Sequence, residues 1–86
     1  MAHRISFKPA AQRQLRRLSR QVQARLLTRI EKLAEDPYPS GVRKLRAEID
    51  LFRIRVGDYR IIYTVQNDTF VVLIVRIGDR RDVFEH

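Results

Sequence analysis

Apolar residues change their spacing about halfway along this chain, and the change divides it into a helical half and a sheet half. Ile5 and Phe7 alternate with Ser6 and Lys8, the period of a short strand. Pro9 follows, suited to a first helical turn because the N–H it lacks would have no partner there. Ala11, Leu15 and Leu18 then share one helical face, while Arg13, Arg16 and Arg17 point elsewhere. Ser19 marks a break and an N-cap. A second helix is predicted from about Arg20 to Ala34, with an apolar stripe of Val22, Leu26, Ile30 and Leu33 and with Arg25, Arg29 and Lys32 on its other side. Glu35-Asp36-Pro37 ends it, since a residue before proline resists helix. The two helices form a hairpin that needs an apolar surface to lie on.

Pro37, Pro39 and Gly41 mark a loop. The stretch Val42 to Asp50 is open between a strand and irregular structure around Leu45. From Leu51 the period becomes two. Phe52, Ile54 and Val56 alternate with Arg53 and Arg55; Gly57-Asp58 is a turn; Tyr59, Ile61, Tyr63 and Val65 alternate with Arg60, Ile62 and Thr64. Asn67-Asp68 is a second turn signal. Phe70 to Ile77 is nearly continuous and β-branched, as expected of a central strand covered on both faces. Three consecutive strands with tight turns read as an antiparallel meander, with the helical hairpin over one face. No repeat, linker or second domain interrupts the 86 residues, so one domain over 1–86 is expected.

Charge adds a partner to this picture. The net charge is +8 and arginine supplies 15 of the 18 basic residues. Residues 1–46 carry 12 Lys and Arg against 3 Asp and Glu; residues 47–86 carry 6 against 7. Arginine suits forked phosphate contacts and stacking on bases, so nucleic acid or an acidic protein is implied. Cysteine is absent, which excludes disulfides, thiolate chemistry and zinc fingers and fits a reducing cytoplasm. Met1 to Phe7 lack the apolar stretch of a signal peptide. The run Phe70 to Val75 is too short to span a bilayer. His3 and His86 have no carboxylate cluster to complete a metal site. There is no glycine-rich phosphate loop, and Ser6, Ser19 and Ser40 have no recognisable His and Asp partners.

If Phe52, Ile54 and Val56 face the helices, Arg53 and Arg55 project from the opposite, open face. Pairing across Gly57-Asp58 brings Arg60 beside them, and Arg80 and Arg81 follow the exit of the last strand. Arg53, Arg55, Arg60 and Arg80 would then form a basic concavity able to stabilise a pentacoordinate phosphate. The helix arginines, Arg25 and Arg29 among them, read either as a solvated face or as a grip on a large RNA.

The stretch Leu51-Phe52-Arg53-Ile54-Arg55-Val56-Gly57-Asp58-Tyr59-Arg60-Ile61-Ile62-Tyr63 resembles the central signature of the RelE/ParE toxin superfamily. The tail Val75-Arg76-Ile77-Gly78-Asp79-Arg80-Arg81-Asp82-Val83-Phe84 is similar to its C-terminal signature, and the Phe7-Lys8-Pro9-Ala10 entry and helical hairpin also match. The resemblance implies an α+β fold: a helical hairpin on a roughly four-stranded antiparallel sheet, with Ile5 to Lys8 as an outer strand. It further implies the toxin of a type II toxin–antitoxin pair, held inactive by a cognate acidic antitoxin. RelE-like members cut mRNA at the ribosomal A site by metal-free attack of the ribose 2′-OH. ParE-like members inhibit DNA gyrase. A third reading is a non-catalytic module that binds RNA or antitoxin.

By position, the resemblance gives Arg53 and Arg55 the handling of the 2′-OH and phosphate, Arg60 the phosphate, and Arg80 the transition state. Arg81, Phe84, Arg25 and Arg29 complete the expected RNA-binding set, and no cofactor or metal is implied. Two departures shape the chemistry. Arginine titrates above about 12 and is a poor general base. Phe84 stands where active members often have tyrosine, so it stacks on a base but exchanges no proton. His86, close behind it, could substitute as acid or base.

Overall fold

The computed structural model describes residues 2–46 and 50–79. Strand β1 (Arg4–Phe7) leads into helices α1 (Pro9–Arg16) and α2 (Arg20–Glu35). Strands β2 (Arg43–Arg46), β3 (Leu51–Val56), β4 (Tyr59–Gln66) and β5 (Val71–Asp79) follow. The five strands form one sheet in the order β1-β5-β4-β3-β2.

The helices begin where the chain allows it. Pro9 opens α1, and Ser19 caps α2 by accepting the Val22 N–H at 3.3 Å on its Oγ. The Gln23 side chain donates to the Leu18 carbonyl at 2.8 Å and so fastens the turn between the helices. Asp36 ends α2 ahead of Pro37. From the helices Ala11, Leu15, Leu26, Ile30 and Leu33 enter the core; from the sheet Phe52, Ile54, Val56, Ile61, Tyr63, Val65, Val72, Ile74 and Ile77 meet them. Each fully buried Leu or Ile here stabilises the fold by roughly 1.5–3 kcal/mol.

Tyr63 anchors the sheet end of this core. It is fully buried, its hydroxyl donates to the Pro37 carbonyl at 2.7 Å, and its ring stacks on Phe52 at 5.8 Å. Burial, then the nearby Tyr38 and Asp36, push its hydroxyl pKa well above the ordinary tyrosine range.

The predicted meander, hairpin and covered face are all present. The sheet has one strand more than the expected four, and it is mixed. The undecided stretch after Gly41 supplies β2, and β1 lies at the outer edge as expected but runs parallel to β5, pairing Arg4 with Val71 and Phe7 with Ile74. The second difference concerns β5. The helices cover only one of its faces, and Val71, Leu73 and Val75 on the other are half-buried. Its unbroken apolar run reflects a β-bulge: Ile62 pairs with Arg76 and Tyr63 with Ile74, leaving Val75 unpaired. The extra residue resets the alternation, so Ile74 and Ile77 both point into the core while Arg76 faces out.

Candidate functional site

Register decides which side chains share the open face, because directly paired residues of adjacent strands project from the same side. Arg53 pairs with Arg43 on β2 and with Ile62 on β4, and Ile62 pairs with Arg76 on β5. One rung across four strands therefore reads Arg43, Arg53, Ile62, Arg76. The next open-face rung reads Arg55, Arg60, Gly78. Strands are about 4.8 Å apart, so these five guanidinium groups crowd a surface a few residues wide. No Asp or Glu occupies an open-face strand position among the described residues.

The crowding is visible in Arg53. Its pKa falls below the ordinary arginine range, first through burial and then through the like charges of Arg60, Arg43 and Arg55. The group remains a cation at neutral pH. Arg53 and Arg55 make no ion pair among the described residues. At the centre of the patch Ile62 is only 5% exposed although it faces away from the helices, and it gives the cationic ring an apolar floor. Gly78, also buried, leaves the end of the second rung without a side chain.

The structure thus brings together three of the four residues expected to act on phosphate: Arg53, Arg55 and Arg60. Arg80, the fourth, lies outside the described residues, as do Arg81, Phe84 and His86. Arg25 and Arg29 project from α2 into a groove shared with Arg55, Val56 and Gly57 at the end of β3. Gly57 has φ +61°, and a Cβ there would collide with the Arg25 guanidinium, so the glycine lets that side chain lie on the turn. The helix arginines are thereby continuous with the sheet arginines around one edge. Sequence reasoning missed Arg43 and Arg76. Arg43 sat in the stretch with no clear period. Arg76 had a visible signal, as the lone charge in an otherwise apolar run, but its face depends on the bulge.

The ParE toxin family of type II toxin–antitoxin systems (parDE) matches residues 5–84, nearly the whole chain. The chain belongs to this family. This ParE-family chain is also 26% identical over 89 residues to a putative RelE-like toxin protein of Escherichia coli, covering 98% of the chain and 92% of that relative. Its fold is similar to a chain of the archaeal RelE–RelB complex from Pyrococcus horikoshii OT3, at 30% identity and a TM-score of 0.83, covering 96% of this chain and 100% of that one. The RelBE2 toxin–antitoxin complex of Mycobacterium tuberculosis is similar at 26% identity and a TM-score of 0.82, covering 95% of each chain. No helix among the described residues of the ParE-family chain is long and apolar enough to cross a membrane.

Proposed function

We propose that this toxin is an endoribonuclease that cuts mRNA at the ribosomal A site in the cytoplasm and is neutralised by a cognate acidic antitoxin. The observation that carries the reading is the pair of arginine rungs on the open face, which gathers five guanidinium groups on one surface. Such a surface is built for a phosphodiester, and guanidinium forks match its non-bridging oxygens. The similarity to RelE chains bound to RelB supports the antitoxin partner.

In the proposed reaction Arg53 and Arg55 orient the ribose 2′-OH and the adjoining phosphate, and Arg60 holds the phosphate. The 2′-oxygen forms a bond to phosphorus while the bond from phosphorus to the 5′-oxygen breaks. The 2′-proton leaves to water and the 5′-oxygen takes a proton from water, giving a 2′,3′-cyclic phosphate and a 5′-OH. Arg80 steadies the pentacoordinate charge, and Arg81 and Phe84 hold the neighbouring nucleotide, Phe84 by stacking. Catalysis here is positioning and charge stabilisation, effects that are large without a general base.

A second reading is gyrase inhibition, favoured by the match to the ParE family model. Two assays on the purified protein separate them. Primer extension on ribosomes programmed with a short mRNA shows new ends at the A-site codon if the first reading holds. Inhibition of gyrase supercoiling with no new RNA ends would replace it with the second.

A further inference from the structure

The rung through Arg53 extends past the residues assigned to the reaction. On the β2 side Arg43 stands directly opposite Arg53, and there the β2–β3 pairing stops. Among the described residues, Ile54, Arg55 and Val56 consequently form a free edge of the sheet. A cavity of about 190 Å³ opens at this edge, lined by Arg29, Ser40, Gly41, Arg43, Arg53 and Arg55 among others. Arg29 comes from α2, so the cavity joins the helix side of the molecule to its open face. Gly41 has φ +87° and nothing within 4 Å of where its Cβ would stand, which keeps the mouth clear.

Arginines on a wet sheet face are ordinary when acids intersperse them. Here Arg29, Arg43, Arg53 and Arg55 make no ion pair among the described residues. Like charges directly opposite each other destabilise a sheet, and the register sets Arg43 against Arg53. An arrangement with that cost fits a bound polyanion. Beside Ile54 the lining consists of four arginines, a serine and a glycine, and clustered guanidinium groups suit phosphate.

We propose that Arg43 and Arg29 are phosphate-binding residues that carry single-stranded RNA off the open face, around the free edge of β3 and onto α2. The proposal rests on the RNA-cleaving reading for the identity of the polyanion. It adds Arg43 to the binding set and gives Arg29 a specific place on the RNA path.

The test is the salt dependence of binding to a labelled 2′-O-methyl oligoribonucleotide, which cannot be cut, measured by fluorescence anisotropy. The proteins are the parent, Arg43→Gln, Arg29→Gln, the double variant, and Arg13→Gln on the exposed side of α1. Removing one arginine–phosphate pair lowers the slope of log K against log salt by about 0.7 for a single strand. The double variant should therefore show a slope shallower by about 1.4, so that a fourfold rise in salt weakens the parent about sevenfold more than the double variant. Arg13→Gln should keep the parental slope. Parental slopes in both single variants, an equally shallow slope in Arg13→Gln, or no RNA binding by the parent would each overturn the proposal. Unchanged RNA slopes with weakened binding to a poly-glutamate peptide would hand the surface to an acidic protein instead. Ribosomal cleavage by the parent, followed in parallel, separates the two ideas. Shallower slopes without cleavage keep the path and remove the enzyme; cleavage with unchanged slopes does the reverse.

Discussion

Replacing Arg53 with glutamine should make this protein more stable. Arg53 faces Arg43 directly across the β2–β3 pair, and Arg60 and Arg55 also lower its pKa. It gains no ion pair among the described residues in return. A directly opposed pair in a sheet is worth roughly 0.2–1 kcal/mol, with like charges on the unfavourable side. The two neighbours beyond it add smaller, solvent-screened contributions. Glutamine keeps the stem over the sheet and removes the charge, so the expected gain is about 1 kcal/mol. For a domain of this size that raises the melting temperature by about 4–8 °C. Thermal unfolding of Arg53→Gln and the parent, at low salt and at about 1 M salt, measures it. The gain should shrink at high salt, where the Debye length is about 3 Å. RNA binding should weaken in the same variant. A loss of stability, or a gain untouched by salt, would refute the claim that these arginines repel one another and are held together for function.

Other outcomes follow from the same geometry. Tyr63→Phe leaves the buried Pro37 carbonyl without its donor and should cost about 1–3 kcal/mol by urea unfolding at neutral pH. Because burial raises the Tyr63 pKa, the parent keeps its full stability below about pH 10, where an unfolded tyrosine titrates, and loses it as pH rises further. Tyr63→Phe should lack that part of the alkaline loss, as urea midpoints on both sides of about pH 10 would show. Leu26→Ala, a fully buried truncation, should cost about 2–5 kcal/mol in the same assay. Gly57→Ala forces a side chain onto a left-handed residue and displaces Arg25, so it should lose roughly 1–2 kcal/mol by thermal unfolding.

Local pattern carried much of this fold. The stripe through Leu26, Ile30 and Leu33, the cap at Ser19 and the alternation from Phe52 to Val65 each report a side chain's own surroundings, and each appears in the structure. What stayed hidden depends on partners far away in the chain. Nothing near Ile5 says that β1 will lie parallel beside Val72, and nothing near Leu45 says that β3 takes an edge partner there. The site divided in the same way. Arg53, Arg55 and Arg60 were legible because they sit on strands of clean period two joined by a tight turn. Arg76 was not, because a bulge resets its face, and Arg43 was not, because its strand is short and lacks alternation. The roles of Arg80, Arg81 and Phe84 rest on the resemblance of the tail.

The central claim is that the open-face arginines perform the chemistry of RNA cleavage. Single-turnover cutting of A-site mRNA on programmed ribosomes, by the parent and by Arg60→Gln, tests it most directly. The account predicts A-site cleavage by the parent and a rate about 10²–10³ lower in Arg60→Gln, the loss typical of one preorganised donor to a transition-state charge. Equal cleavage rates from two equally folded proteins would contradict it.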